Sequence, residues 1–169
     1  MPYTKLNKLL PDVAKKETRT ITAFEPNKYG VPAGDYGLVE MYCDDEGCDC
    51  QRVFLVVISP NTKKTVAVIT FGWESKQFYT KWFNRGKNVE FAKMDPLNQK
   101  AVNLMHGIHL SDTDRQSDIA PAVLKMVTEQ ALNDKTYVDR LKRHYKLFRS
   151  KVDERYRNQG NVNFPWNKP

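Results

Sequence analysis

No apolar run in the 169-residue chain approaches the roughly 20 residues needed to cross a bilayer as a helix. The longest, Val53 to Ile58, has the length of a strand. No membrane association is therefore expected. The first ten residues, MPYTKLNKLL, hold no apolar core of the signal-peptide kind, so no secretory leader is expected there. Cysteine is scarce: three in all, within the eight residues from Cys43 to Cys50. A secreted disulfide scaffold spreads an even number along the chain, and an odd, crowded set predicts a reducing, cytoplasmic setting. Nucleophile-elbow, phosphate-loop and dinucleotide-binding motifs are missing, as is the H-x-E…C-x2-C pattern of zinc deaminases.

What is present is an ordinary globular composition. Hydrophobic residues at 40% and charged residues at 28% argue against global disorder. The length fits one domain with a core of its own. Net charge is +7, unevenly placed. From Asp35 to Cys50 there are six acids and no Lys or Arg, whereas Asp134 to Arg157 carries nine Lys and Arg against four acids. An acidic end and a basic end are expected.

Hydrophobic patterning predicts an α+β fold: a small antiparallel meander of three or four strands packed with C-terminal helices. Residues 1–18 read as a short helix or a flexible lead-in. Thr18 to Phe24 alternates like a strand. Tyr36 to Cys43, Arg52 to Ser59 and Thr65 to Trp73 follow as strands. Their short links permit hairpins and forbid helical crossovers. Glu74 or Ser75 caps a helix bearing Phe78, Tyr79, Trp82 and Phe83, which Gly86 would stop. Asp95 and Pro96 open another, with Leu97, Ala101, Leu104, Met105 and Ile108 at helical spacing. After a polar break, Ser117 caps a helix carrying Ala120, Val123, Leu124, Val127 and Ala131. Asp134 caps the last helix, with the stripe Val138, Leu141, Tyr145, Phe148 and Val152, making an αα-hairpin. Residues 1–157 are expected to form one domain, and 158–169 a flexible tail.

The concentrated chemistry is Tyr42-Cys43-Asp44-Asp45-Glu46-Gly47-Cys48-Asp49-Cys50. Pairing of the flanking strands puts Cys43 and Cys50 at the mouth of one hairpin. Cys48 and Cys50, two apart, point the same way in extended backbone, and Gly47 allows the turn. Three readings compete: a metal site, a reactive thiol, and inert thiols. Four carboxylates within six residues, with only Arg52 nearby in sequence, oppose a free thiolate, and a bound dication reverses that penalty. A metal, Zn2+ first, is the leading reading. Cys43, Cys48 and Cys50 are its expected ligands, with His106 or His109 as the fourth. Asp44, Asp45 and Asp49 are weaker partners, and His144 lies on the basic helix. A water in fourth place would open the site to catalysis.

Arg140, Arg143, Lys146 and Arg149 lie away from the apolar stripe of the last helix. They would meet nucleic-acid phosphates or form a solvated amphipathic face. The aromatics are not interleaved with these charges as in single-strand binders. Trp73, Phe78, Tyr79, Trp82 and Phe83 pin a helix to the sheet or border a ligand groove.

The segments Tyr42 to Arg52 (YCDDxxCDCxR), Gly72 to Glu74, Asp95 to Asn98 and Arg140 to Phe148 carry a resemblance that spans much of residues 36–150. The chain resembles a group of uncharacterised prokaryotic proteins with these segments, some similar to proteins ending in the cysteine-rich SEC-C zinc motif. The resemblance implies a recurring cysteine cluster and this fold, but no activity. This chain has no cysteine after Arg157, so a function tied to that module is not implied. The expectation is a zinc-binding, non-catalytic interaction module with a protein or RNA partner. A metal-dependent hydrolase with an open zinc site and a metal-free structural domain are the alternatives.

Overall fold

The computed structural model describes residues 3–25, 27–59, 61–85 and 96–158. Six strands form one antiparallel sheet. They are β1 (Tyr3–Lys5), β2 (Arg19–Ala23), β3 (Gly34–Cys43), β4 (Arg52–Ile58), β5 (Thr65–Gly72) and β6 (Gly107–Leu110). The helices are α1 (Leu6–Leu9), α2 (Pro11–Glu17), α3 (Lys76–Phe83), α4 (Pro96–Met105), α5 (Ala120–Val127) and α6 (Lys135–Asn158), with a π-helical turn over Thr128–Leu132 between the last two. The α+β class and the β3-β4-β5 meander agree with the sequence reading. The sheet is wider than three or four strands, because β1 and β2 both pair with β3 and β6 pairs with β5.

Strand β1 is the addition that matters most for the site. Its three residues are too few to show a period, so the alternation that reveals longer strands is silent here. Tyr3 pairs with Cys43, which fastens the end of β3. The helix expected to run through Ile108 stops at Met105. Gly107, at φ +78, turns the chain, and Ile108 pairs with Phe71 in the sheet. Three or four apolar residues satisfy a helix or a strand equally, and the open edge of β5 decides between them. The capping roles of Asp95 and Gly86 lie outside the described residues, as do residues 159–169 of the expected tail. Ser75 caps α3, its Oγ accepting from Phe78 N at 3.2 Å. Asp134 Oδ1 accepts from Thr136 N at 2.9 Å at the start of α6. Ser117 does not cap α5: its hydroxyl donates to the Val66 carbonyl at 2.7 Å, tying the polar break to the sheet.

Alternation assigns the two sheet faces. Tyr36, Leu38 and Tyr42 of β3, Val53, Leu55 and Val57 of β4, and Ala67 and Ile69 of β5 are inaccessible to solvent. They share one core with Val123, Met126, Leu141, Phe148 and Val152 of α5 and α6. Burial of each such aliphatic or aromatic side chain stabilises the fold by about 1.5–3 kcal/mol. The continuous apolar run of β4 is buried on the helix side, with Phe54 and Val56 directed to the other face.

One polar network crosses this core. His144, fully buried on α6, has Nδ1 at 2.8 Å from Glu40 Oε2 and Nε2 at 3.2 Å from Glu17 Oε2. Tyr42 donates to the same Glu40 oxygen at 2.7 Å. Glu17 also meets Arg143, and this hydrogen bond holds its carboxyl below the ordinary value of 4.5. A depressed carboxylate contributes stability that is present above its unfolded pKa and is lost as pH falls through the folded one. Glu17→Gln is therefore expected to flatten the fall in melting temperature below pH 4.5. Parallel acid melts of the variant and the wild type would rule this out.

Candidate metal centre

The loop from Asp44 to Gln51 joins β3 to β4, and it turns on either side of its Cys48–Cys50 stretch. Cys48 N donates to the Asp45 carbonyl at 3.3 Å, Gly47 takes φ +63 and Gln51 takes φ +51. A positive φ at a non-glycine residue is costly unless its surroundings hold it. Three aromatic residues hold Gln51. Its N donates to Tyr145 Oη at 3.4 Å, its carbonyl accepts from Tyr79 Oη at 2.7 Å, and its Oε1 accepts from Trp73 Nε1 at 3.3 Å. The aromatic cluster thus does more than pin a helix. It clamps the residue that follows Cys50.

Cys43 and Cys50 are buried and Cys48 is half-buried, all with free thiols. Their Sγ atoms lie within 4.8 Å of one another. Sulfurs tetrahedrally bound to one zinc sit about 3.8 Å apart, given Zn–S of about 2.3 Å. The 4.8 Å limit stands about 1 Å above that spacing. The donor set fits a soft or borderline cation.

The loop is less acidic in effect than in sequence. Asp49 accepts from Trp82 Nε1 at 2.7 Å and pairs with Arg85 at 2.6 Å. Asp44 accepts from Thr4 at 2.7 Å. Arg149, 8% exposed, lies across the loop. Its Nη1 donates to the carbonyls of Cys43 at 3.1 Å and Asp45 at 2.8 Å, and its Nη2 pairs with Asp153 at 2.7 Å. The expectation that acids dominate the thiols is therefore corrected. Hydrogen bonds from the Cys43 and Cys50 thiols hold Cys48 down to about 3, with Arg149 contributing. The hydrogen bond to Cys48 pushes Cys43 up to about 12, and Cys50 is raised by its hydrogen bonds to Cys43 and Cys48. Cys48, the accessible thiol, thus ionises most readily, while Cys43 and Cys50 hold their protons more firmly. Ionising all three in so small a space calls for a nearby cation.

All three histidines of the chain are among the described residues, and none joins the cysteines. His106 and His109 flank the turn into β6, where His109 Nε2 lies 2.7 Å from the His106 carbonyl and the His106 ring meets Tyr79 edge-on. His144 belongs to the buried network with Glu40 and Glu17. The carboxylate in contact with the cluster is Asp45, whose Oδ2 is 3.7 Å from Cys43 Sγ. The basic-helix expectation changes too. Arg149 is buried in the loop, Arg143 and Arg140 face Glu17, and Lys146 is exposed. Arg149 as a loop clamp escaped the sequence reading because helical spacing placed it with the solvated cations, one position after Phe148. Comparison with family models, curated proteins and solved structures gives no match.

Proposed function

We propose that the chain is a metal-stabilised, non-catalytic interaction module in which Cys43, Cys48 and Cys50 hold one zinc ion at the mouth of the β3–β4 hairpin. The observation that carries this reading is the convergence of three sulfurs within 4.8 Å, in a loop clamped by Arg149 and by the aromatic cluster around Gln51. A zinc bound there would tie the end of β3 to the start of β4 and would supply the charge that three thiolates lack. Asp45 or water would complete four-coordination. Free thiols suit a reducing compartment, and the cytoplasm is the setting we infer. A protein or RNA partner would meet the exposed cations of α6, where Lys146, unlike Arg140, Arg143 and Arg149, faces no carboxylate among the described residues.

A metal-dependent hydrolase is a second reading, favoured by one observation: among the described residues no fourth sulfur or nitrogen ligand reaches the cluster. Three protein ligands with an open position are the pattern of catalytic zinc. Elemental analysis of the purified protein tests both readings. About one equivalent of zinc is expected, and less than about a tenth of an equivalent after expression in zinc-supplemented medium would leave the metal-free structural domain as the surviving alternative. X-ray absorption then distinguishes the first two. Four protein ligands support the module, whereas an exchangeable water oxygen supports the hydrolase.

A further inference from the structure

The sheet face opposite α5 and α6 carries a groove of about 500 Å³. That volume falls in the range of small-molecule sites, roughly 300–1,000 Å³. Its walls and floor include Phe54, Val56 and Val68, with Met41 and Thr70 beside them. Arg52, on the wall at the β4 start, is 8% exposed. Its Nη2 donates to the Leu104 carbonyl at 3.1 Å, and its guanidinium stands 5.5 Å from the Phe54 ring centroid. Its Nε has no hydrogen-bond partner, and no carboxylate among the described residues pairs with it. A guanidinium nine-tenths buried with no anion among the described residues is costly, and an anion entering the groove would lower that cost.

The other end of the groove has the opposite character. Ser111, Asp112, Thr113 and Asp114 line it, next to Val68. Arg52 pairs with Gly72 and Ser111 N donates to the Val68 carbonyl, so the two ends are four residues apart along β5, about 13 Å. One cation at one end and two acids at the other disfavour a dianion, while the floor between is apolar. We propose that this groove binds small amphipathic monocarboxylates, with the carboxylate on Arg52 and the apolar body along Phe54, Val56 and Val68. The proposed ligand meets none of the three cysteines, although Arg52 follows Cys50 by two residues and Tyr3, which also lines the groove, pairs with Cys43.

Calorimetry on the full chain as purified tests this; a metal at the cluster would take the carboxylate equally in Arg52→Gln, so that variant tells the two sites apart. The probes are octanoate, octan-1-ol and octanedioate. Octanoate is expected to bind saturably, with the alcohol and the diacid each weaker by about tenfold or more. Arg52→Gln is expected to weaken octanoate by about tenfold to a hundredfold. Val56→Trp, which fills the floor and leaves Arg52 in place, is expected to abolish binding. If Arg52→Gln fails to fold, Arg52→Lys serves in its place and should retain the preference for octanoate over octanol. Equal binding of octanoate and octanol overturns the proposal, as does unchanged affinity in Arg52→Gln. It is also overturned if octanoate shows no saturable binding, including the case where an apolar peptide binds instead.

Discussion

Cys50→Ser is expected to weaken zinc binding by about three orders of magnitude or more, measured by competition with a chromophoric chelator. Structural zinc sites are worth on the order of 10–16 kcal/mol in total, so loss of one of three thiolates removes a large share. Cys50 is also fully buried, and a serine there would replace a soft donor with a poor one. Arg149→Met should produce a smaller loss. It keeps every sulfur but releases the carbonyls of Cys43 and Asp45, so that the loop must be ordered on binding. Affinity should rise with pH in the wild type, because the metal must displace the protons held on Cys43 and Cys50. Cys50→Ser retaining zinc as the wild type does would remove the cluster from consideration as the site. Circular dichroism of the apo variants separates loss of metal from loss of fold.

Gly72→Ala is expected to destabilise the protein by about 3 kcal/mol or more, beyond the usual cost of an extra methyl in a packed core. A Cβ at this position would lie 1.9 Å from the Met105 carbonyl oxygen and 2.7 Å from Tyr79 Oη. Neither neighbour can step aside freely. Met105 ends α4 immediately before the turn into β6, and Tyr79 is fully buried while donating to the Gln51 carbonyl. Displacing Tyr79 would also release Gln51 from its positive φ and loosen the backbone beside Cys50. The variant is therefore expected to lose both melting temperature and metal affinity. Gly37→Ala on β3 is the matched control. Nothing lies within 4 Å of its Cβ position, and alanine there should be neutral or slightly stabilising. Similar melting of the two variants would show that the α4 end is not held against β5 as described.

The contrast between Gly72 and Gly37 illustrates what was legible beforehand. Both are single glycines inside strand-like runs, and local pattern treats them alike. Their difference lies in what packs against them, namely α4 and Tyr79 on one and open space on the other. The same reasoning covers β1 and β6. Each is a short segment whose own residues permit more than one structure, and the edge it meets selects the strand. Asp134 and Ser75 lie at the opposite extreme. Their capping bonds reach only two or three residues along the chain, so sequence spacing was sufficient to place them.

The cysteine site divides along the same line. That Cys43 and Cys50 lie at a hairpin mouth follows from two strands and a short link, which are local facts. Distance in sequence concealed the rest. Arg149 is 106 positions from Cys43 and Arg85 is 36 from Asp49, so the charge around the loop could not be read from the loop alone. His106 and His109 suit a metal by type, yet the turn at Gly107 directs them to β6. Sequence alone determined the α+β class, the meander, the stripe of α6 and the gathering of three thiols, because each depends on periodicity or near-neighbour spacing, whereas the stripe expected on α4 fails at Leu97, which is exposed, and at Ile108, which is in β6. Tertiary structure decided the sheet edges, the cations that offset the acidic loop, the absence of a histidine from the cluster and the placing of Arg52 in its groove. Those depend on which distant side chains packing brings together.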